Sequence, residues 1–302
     1  MAMDGCFREG GSFGLRSSFD GSPTTERNER NRRSIPESLR ILFLFSGLFA
    51  AHASQAAAVD LPGMLPSMIG GGLGSTTDYA GGKDRFVGAV PGVRYVTDGG
   101  RLFELYGPYA QFDLGGITGL QYGPAISLRL GRNNVDDPVV SQVHEIHTTV
   151  EGGGFVGYEY EHPGSVPYRL RGSVTVMTNA GVVYTGARVS VNGSFWMPLY
   201  RRVFAGAGVG ASWVSQGFNQ VYFGVTRDDS ARSGLPVFSP SGGLEQMTGW
   251  LAAIYQFNKH WFGGAMIYYQ RVSGSAADSP IVTQRGNRNQ ITYGAGIAYA
   301  FK

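Results

Sequence analysis

The segment from Gln290 to Phe301 alternates without a break. Ile291, Tyr293, Ala295, Ile297, Tyr299 and Phe301 are apolar or aromatic, and Gln, Thr, Gly or Ala fills every position between them. An extended chain repeats every two residues, so one face of this segment is apolar and the other is small or polar. At the end of a chain with 47 Gly and 16 Tyr, this pattern describes the closing strand of an outer-membrane β-barrel. Tyr293, Ile297, Tyr299 and Phe301 are the barrel-closing residues on this reading.

Charge content narrows the class further. Charged residues make up 16% of the chain, against about 25% in ordinary soluble domains. The mean hydropathy is nevertheless slightly negative, as suits a barrel in which only alternate residues meet lipid. One continuous apolar run, Ile41–Phe45 extended by Leu48 and Phe49, follows Arg30, Arg32, Arg33 and Arg40 and precedes Ala51-His52-Ala53. Basic, apolar and small-residue regions in that order make a secretory signal peptide. The run is shorter than the roughly 20 residues that a transmembrane helix needs. The expected organisation is a polar extension plus cleaved signal peptide over 1–53, a short periplasmic segment over 54–67, and a barrel over 68–302. Cys6 is the only cysteine and lies in the leader, so the mature chain forms no disulfide. A net charge of +3 with no long basic tract beyond the leader gives nucleic-acid binding no support.

The fold class read from the pattern is all-β, a transmembrane antiparallel β-barrel of twelve strands, with ten as the alternative count. The candidate strands lie at 68–76, 85–96, 102–113, 118–130, 148–161, 168–178, 182–191, 203–214, 219–224, 248–257, 261–272 and the closing segment. In the fourth, Leu120, Tyr122, Ile126 and Leu128 face one way, and Gln121, Gly123, Ser127 and Arg129 the other. Tight turns at 97–100 and 258–260 contrast with long connections at 131–146, 225–246 and 273–288, matching the short periplasmic turns and longer outer loops of such barrels. With the C-terminus in the periplasm, 273–288 lies outside. The sides of 131–146 and 225–246 depend on the strand count. A soluble sandwich or lipocalin-like barrel also alternates, but the signal peptide, long amphipathic strands and terminal Phe favour the membrane.

Arg129, Glu151, Glu159, Arg169, Arg171 and Arg188 fall opposite the apolar face and so point towards the lumen. Buried charges need partners or water, and Glu151 or Glu159 is placed to pair with Arg169 or Arg171. The set reads as an internal salt-bridge lattice or, alternatively, as a charged constriction in a pore. The aromatics Tyr158, Tyr160, Trp196, Tyr200, Trp213, Trp250, Tyr255, Trp261, Tyr268 and Tyr269 read as interfacial girdles. His144-Glu145-Ile146-His147 lacks the spacing of a zinc helix and reads as a solvated loop pair. Neither a nucleophile elbow nor a phosphate-binding glycine loop occurs, so no catalytic, metal or cofactor site is expected.

Two stretches carry a family resemblance. Val221-Tyr222-Phe223-Gly224-Val225-Thr226, followed by Ala231-Arg232-Ser233-Gly234-Leu235-Pro236-Val237-Phe238-Ser239-Pro240, resembles the signature region of the MipA/OmpV family of Gram-negative outer-membrane proteins. Ala277–Val282 with Gln284–Gln290 resembles that family's last loop, and the similarity runs from Gly70 to Lys302. The motif residues are Tyr222, Phe223, Gly224, Ser233, Gly234, Leu235, Pro236, Ser239 and Pro240. The resemblance implies a non-enzymatic barrel in lipid and lipopolysaccharide, with the loop at 225–246 folding against or into it. It also implies a scaffold for murein growth, whose partners are a lytic transglycosylase and a penicillin-binding protein. Adhesion is associated with other members. A small-solute channel is the alternative suggested by the inward charges. Lys302 after the last aromatic departs from assembly signals that end on the aromatic itself.

Overall fold

The computed structural model describes residues 65–133 and 135–301, so the expected leader and most of the segment 54–67, like Lys302, lie outside the described residues. Twelve antiparallel strands close on themselves, each paired with its neighbour in sequence and the first with the last. They are β1 (Met68–Thr77), β2 (Arg85–Val96), β3 (Leu102–Tyr106), β4 (Tyr109–Asp113), β5 (Gly119–Arg129), β6 (Thr149–His162), β7 (Tyr168–Asn179), β8 (Ala187–Tyr200), β9 (Val203–Val214), β10 (Gly243–Gln256), β11 (Trp261–Val272) and β12 (Asn289–Ala300). Outward positions carry a band of exposed apolar side chains, among them Leu73 at 64% and Val209 at 69% exposure. Water does not tolerate a continuous band of this kind, and a ladder closed around the barrel satisfies the backbone in lipid apart from the stretch of β2 above its pairing with β3. The chain is an outer-membrane β-barrel.

The count of twelve holds, but two of the expected strands are not what they seemed. The candidate at 102–113 is a hairpin, β3 and β4, turning at Gly107-Pro108. Gly107 takes φ 54°, the left-handed backbone that a two-residue hairpin requires. The candidate at 219–224 is not a strand. It belongs to a helix, α1 (Gln216–Phe223). A third candidate, 182–191, is displaced: residues 182–186 form a loop, and β8 runs from Ala187 to Tyr200. One split and one loss cancel in the total.

The connections sort by length onto the two ends of the barrel. One end carries 97–101, 114–118, 163–167, 201–202 and 257–260, all short. The other carries 78–84, 130–148, 180–186, 215–242 and 273–288, together with the hairpin turn at 107–108. The short-turn end is the periplasmic one. The loops 131–146 and 225–246 therefore lie outside with 273–288. Residues 65–67 run across the periplasmic mouth, where the Ser67 carbonyl accepts from Phe301 N at 3.1 Å and its hydroxyl accepts from Val96 N at 3.0 Å.

Closure depends on glycine at the β1–β12 seam. Gly72 pairs with Gly296, and Gly70 with Ala298. A Cβ on Gly72 would lie 2.3 Å from the Ala295 carbonyl oxygen, and one on Gly296 2.7 Å from that of Gly71. At Gly70, Gly72 and Gly296 the two strands approach so closely on the lumen side that a Cβ would strike backbone atoms. Overpacking costs about 1–3 kcal/mol where neighbours can shift, and backbone atoms shift least. Gly72→Val is therefore expected to lower the urea midpoint of the folded barrel by at least that much, read by heat-modifiable electrophoretic mobility. Gly264→Ala, whose nearest obstacle is the Ala253 carbonyl oxygen at 3.5 Å, leaves the midpoint unchanged.

Candidate functional site

The outer loops fold into the barrel instead of standing away from it. β9 ends at Val214, and the next residue, Ser215, caps α1 by accepting from Phe218 N at 3.4 Å. Phe218 and Tyr222 stand one turn apart on the same face and are buried with Phe223. They pack against Tyr184, Ile146, Val272 and Val282, residues from other outer loops and strand ends. The chain then enters a second short helix, α2 (Arg227–Ser233), through a capping box: Thr226 caps Asp229 N while the Asp229 side chain returns to Thr226 N. Gly234, at φ 74°, ends the helix in the left-handed conformation.

The family-like motif builds this plug. Tyr222 and Phe223 are its buried aromatics, and Gly224 follows α1. The Ser233 hydroxyl donates to the Asp229 carbonyl at 2.7 Å and accepts from Leu235 N at 3.2 Å. Leu235 is buried against Tyr79, Val140 and Ile281. Pro236 follows it, Ser239 donates to Gln220 at 2.9 Å, and Pro240 is buried.

Beneath the plug, Arg129 links it to the barrel wall. Its guanidinium lies 4.5 Å from the Phe218 ring centroid and 5.2 Å from that of Tyr222. The Arg129 Nε donates to Glu151 at 2.6 Å, and Tyr184 donates to the same carboxylate at 2.8 Å. Arg188 lies 3.8 Å from Glu151, and Glu245 lies 3.8 Å from Arg129. A second cluster joins Arg169 to Glu159, with Gln121 donating to Glu159 at 3.1 Å and Arg171 over the Phe155 ring. The six charges picked out by alternation thus stand in two groups: Arg129, Glu151 and Arg188, and Glu159, Arg169 and Arg171. Between the walls lies a polar cavity of about 70 Å³, touching Arg129, Glu151, Arg188, Gln246 and Tyr268, with room for only a few water molecules.

Sequence reasoning missed several members of this interior. Arg94 and Glu104 are cross-strand neighbours that form an ion pair, and Gln111 donates to Glu104 at 2.7 Å. Their inward parity was a readable signal. Glu245 was not readable, because a β-bulge between Leu244 and Gln246 turns it inward against strict alternation. The girdle expectation fails for three aromatics. Trp196, Trp250 and Tyr268 point into the lumen and are almost fully buried. Glycines make the room: a Cβ on Gly206 would strike the Trp196 ring, and one on Gly208 the Trp250 ring, each at 2.4 Å. With Leu65, Met68, Ile254 and Phe262 they form one buried apolar cluster inside the lumen, reaching to its periplasmic end.

Ion pairs latch the outer loops together above α1. Asp229, nearly inaccessible, accepts from His144 N at 2.8 Å and Arg232 at 2.7 Å, and bonds His144 Nδ1 at 2.8 Å. Of the expected solvated pair, His147 is exposed, whereas His144 is partly exposed and tied to Asp229. Arg132 donates to the Tyr222 carbonyl at 2.9 Å, and Arg285 grips Asp137 through Nε and Nη2. Burial raises the Asp229 carboxyl, but hydrogen bonds from His144 and Thr226 outweigh it and hold the group below the usual range. Asp137 is likewise held low: burial raises it, and the Arg285 bonds more than offset this. Among the described residues no group of three or more His, Cys, Asp or Glu side chains is placed to hold a metal.

A family model described as MltA-interacting protein MipA matches residues 69–301. The MltA-interacting proteins of Escherichia coli (strain K12) and Shigella flexneri are each 34% identical over 116 residues, 36% of this chain and 45% of theirs. The aligned part thus spans less than half the length of those relatives. Solved barrels align loosely. OmpT of Vibrio cholerae covers 82% of this chain and 71% of its own at 10% identity, TM-score 0.34. The translocator domain of autotransporter NalP from Neisseria meningitidis covers 88% and 95% at 13% identity, TM-score 0.36.

Two outcomes follow from the interior. Arg129→Met leaves Glu151 and Glu245 buried without their shared cation, and breaking a buried pair costs about 3–5 kcal/mol. The urea midpoint in detergent is expected to fall accordingly. The latch has its own pH signature. Both Asp229 and Asp137 titrate below their unfolded value of about 3.9, so their stabilisation is complete above it and fades as pH drops through the lower folded values. Protease nicking within 215–242 is expected to stay slow through mildly acid pH and rise only in strong acid. Asp229→Asn raises it already at neutral pH.

Proposed function

The chain belongs to the family of the MltA-interacting protein MipA, and from that premise we propose that it is a non-enzymatic scaffold in the outer membrane. Its partners on this reading are a lytic transglycosylase and a penicillin-binding protein, held near the murein by the periplasmic rim. The observation that carries the reading is buried packing of side chains towards both ends of the lumen. Aromatics of α1 and the latched loops pack towards the outer mouth, and Trp196, Phe262, Met68 and Leu65 towards the periplasmic one. A small-solute channel needs a continuous water-filled path, and the small polar cavity of about 70 Å³ between these layers favours the scaffold reading over it. The charges lining that cavity, Arg129, Arg188 and Glu151, balance once Glu245 beside Arg129 is counted, and this mutual pairing supports a structural role over a selectivity ring.

The geometry also moves the proposed contact surface away from the motif loop at 225–246. That loop lies at the outer end, whereas murein enzymes work on the periplasmic side. The turns at 201–202 and 257–260 lie together there, joined by the Arg202 Nη1 bond to the Phe257 carbonyl at 3.2 Å. Arg201, Arg202 and Lys259 give this surface an exposed basic patch. Charge at the rim of an interface acts mainly on association and salt dependence.

Binding of the purified barrel to the lytic transglycosylase of the same cell provides the test. Reversing Arg201, Arg202 and Lys259 to Glu is expected to weaken it by about tenfold, or 1.4 kcal/mol. Val237→Asp on the outer face leaves it unchanged. Equal loss in both would overturn the periplasmic placement. The absence of any binding by the unaltered barrel would overturn the scaffold.

A further inference from the structure

The barrel wall is notched. β3 and β4 have five residues each, whereas the other strands have 10 to 14. β3 pairs with β2 only from Gly92 to Val96. Above that point no strand among the described residues covers the side of β2 that faces away from β1. Pro91 turns its carbonyl to this side, where it accepts from Gly107 N at 2.9 Å. In an extended strand Val87 and Ala89 turn their backbone groups the same way, into the notch. Proline at the corner is a usual marker of an unpaired strand edge. The lower part of the notch lies at lipid level, because Ala89 beside it pairs with Leu73 of β1, which points outward at 64% exposure; its upper end, where Val87 pairs with Ser75 and Arg85 bonds Ser75, lies at the polar margin.

Behind the notch lies an apolar cavity of about 250 Å³. Gly70, Gly72, Gly264, Gly294 and Gly296 line it and contribute no side chains, a consequence of the tight seam. Trp196, Ile254 and Phe262 form its floor. A polar row closes the space above, with Thr292 bonded to Thr76 at 2.9 Å and Gln290 to Thr77 at 2.7 Å. Val90, Pro91 and Gly92 of β2 and Tyr106 at the tip of β3 belong both to the cavity lining and to the corner of the notch. Val90 points inward and is still 39% exposed. The one charged side chain in the lining, Arg94, is tied to Glu104 and to the Leu65 carbonyl.

We propose that this cavity takes the acyl chain of a membrane lipid, which enters sideways through the notch between β2 and the β3–β4 turn. An apolar cavity of this size offers water too few polar partners to stay wet, and such cavities take apolar guests instead. The surrounding solvent at this height is hydrocarbon, so the nearest guest is a lipid tail. The headgroup stays at the membrane surface, level with Ser75 and Arg85 at the upper end of the notch, and the chain passes Ala89 and Pro91 on its way in. A peptide strand added along β2 would satisfy the same backbone groups but would leave the glycine-lined space behind them empty.

The test is photocrosslinking in vesicles made with phosphatidylethanolamine that carries a diazirine in one acyl chain, followed by peptide mapping of the adducts. The unaltered barrel is expected to give adducts on inward residues, Met266, Ile254 or Trp196, besides those on outward Val87, Val209 and Leu251, which lie outside the cavity lining. Adducts confined to the outward set would overturn the proposal, whichever partner occupies the β2 edge. Gly92→Leu and Gly264→Leu place a side chain in the cavity from sites where the nearest heavy atoms to a Cβ are 3.9 Å and 3.5 Å away. In either variant the inward adducts are expected to fall at least fivefold while the outward ones persist. Inward adducts that survive both substitutions would equally overturn it.

Discussion

A bilayer core offers the backbone no partner, so each strand must find both neighbours within the chain. Everything else in this structure follows from satisfying that demand at the β1–β12 seam. The seam brings strands from opposite ends of the sequence together, in a register running from Met68 with Ala300 to Ser75 with Tyr293. Glycine on its lumen side lets the backbones meet at distances that any Cβ would forbid. The same glycines remove side chains from that part of the lumen. Closure at the wall therefore creates a filling problem inside, and the remainder of the interior answers it.

Two different materials do the filling. Along β5 to β8, inward positions carry Arg, Glu, Ser and Thr; Arg129 and Arg188 share Glu151, Arg169 pairs with Glu159, and Arg171 lies over the Phe155 ring. Buried charge is costly to leave alone but tolerable when paired, so this wall is rigid and selective about its own partners. Towards the periplasm the filling is aromatic, with Trp196 and Trp250 lying flat on Gly206 and Gly208. Arg129 joins the regimes on the outer side, because its guanidinium both pairs with Glu151 and stacks on the plug aromatics. Strand wall and loop plug therefore depend on a single cation that belongs equally to both.

Alternation made the barrel legible because period two is enforced at every residue that must choose between lipid and lumen. It failed where something other than that choice governed the chain. Residues 102–113 alternate through their own turn, so only Gly107-Pro108 marked the hairpin. Val221-Tyr222-Phe223 has the composition of a strand, but those side chains serve a helix cap and a plug, where the spacing from Phe218 to Tyr222 matters. Trp196 and Trp250 sit at inward parity, and treating every large aromatic as a girdle residue overrode that signal. Glu245 could not be placed by any period, since a bulge breaks the count. The latch of Asp229, His144, Asp137 and Arg285 was invisible for a related reason: its members are 85 and 148 residues apart in the chain.

The interior's asymmetry bears on what such a barrel can and cannot do. Clearing a solute path beside Arg129 and Glu159 would break several buried pairs together, and breaking a buried pair costs about 3–5 kcal/mol. Solute traffic along the barrel axis is thus disfavoured by the energetics of the filling itself. Traffic across the wall is a different matter. At the short β3–β4 hairpin the ladder is interrupted, and the space behind the notch is apolar and glycine-lined, with no ion pair to break on entry. The wall therefore yields most readily sideways towards lipid, on the face opposite the charged lattice. A barrel built this way is rigid where it presents its two rims and open where it meets the bilayer. That is compatible with holding partners at a rim while exchanging apolar groups through the side.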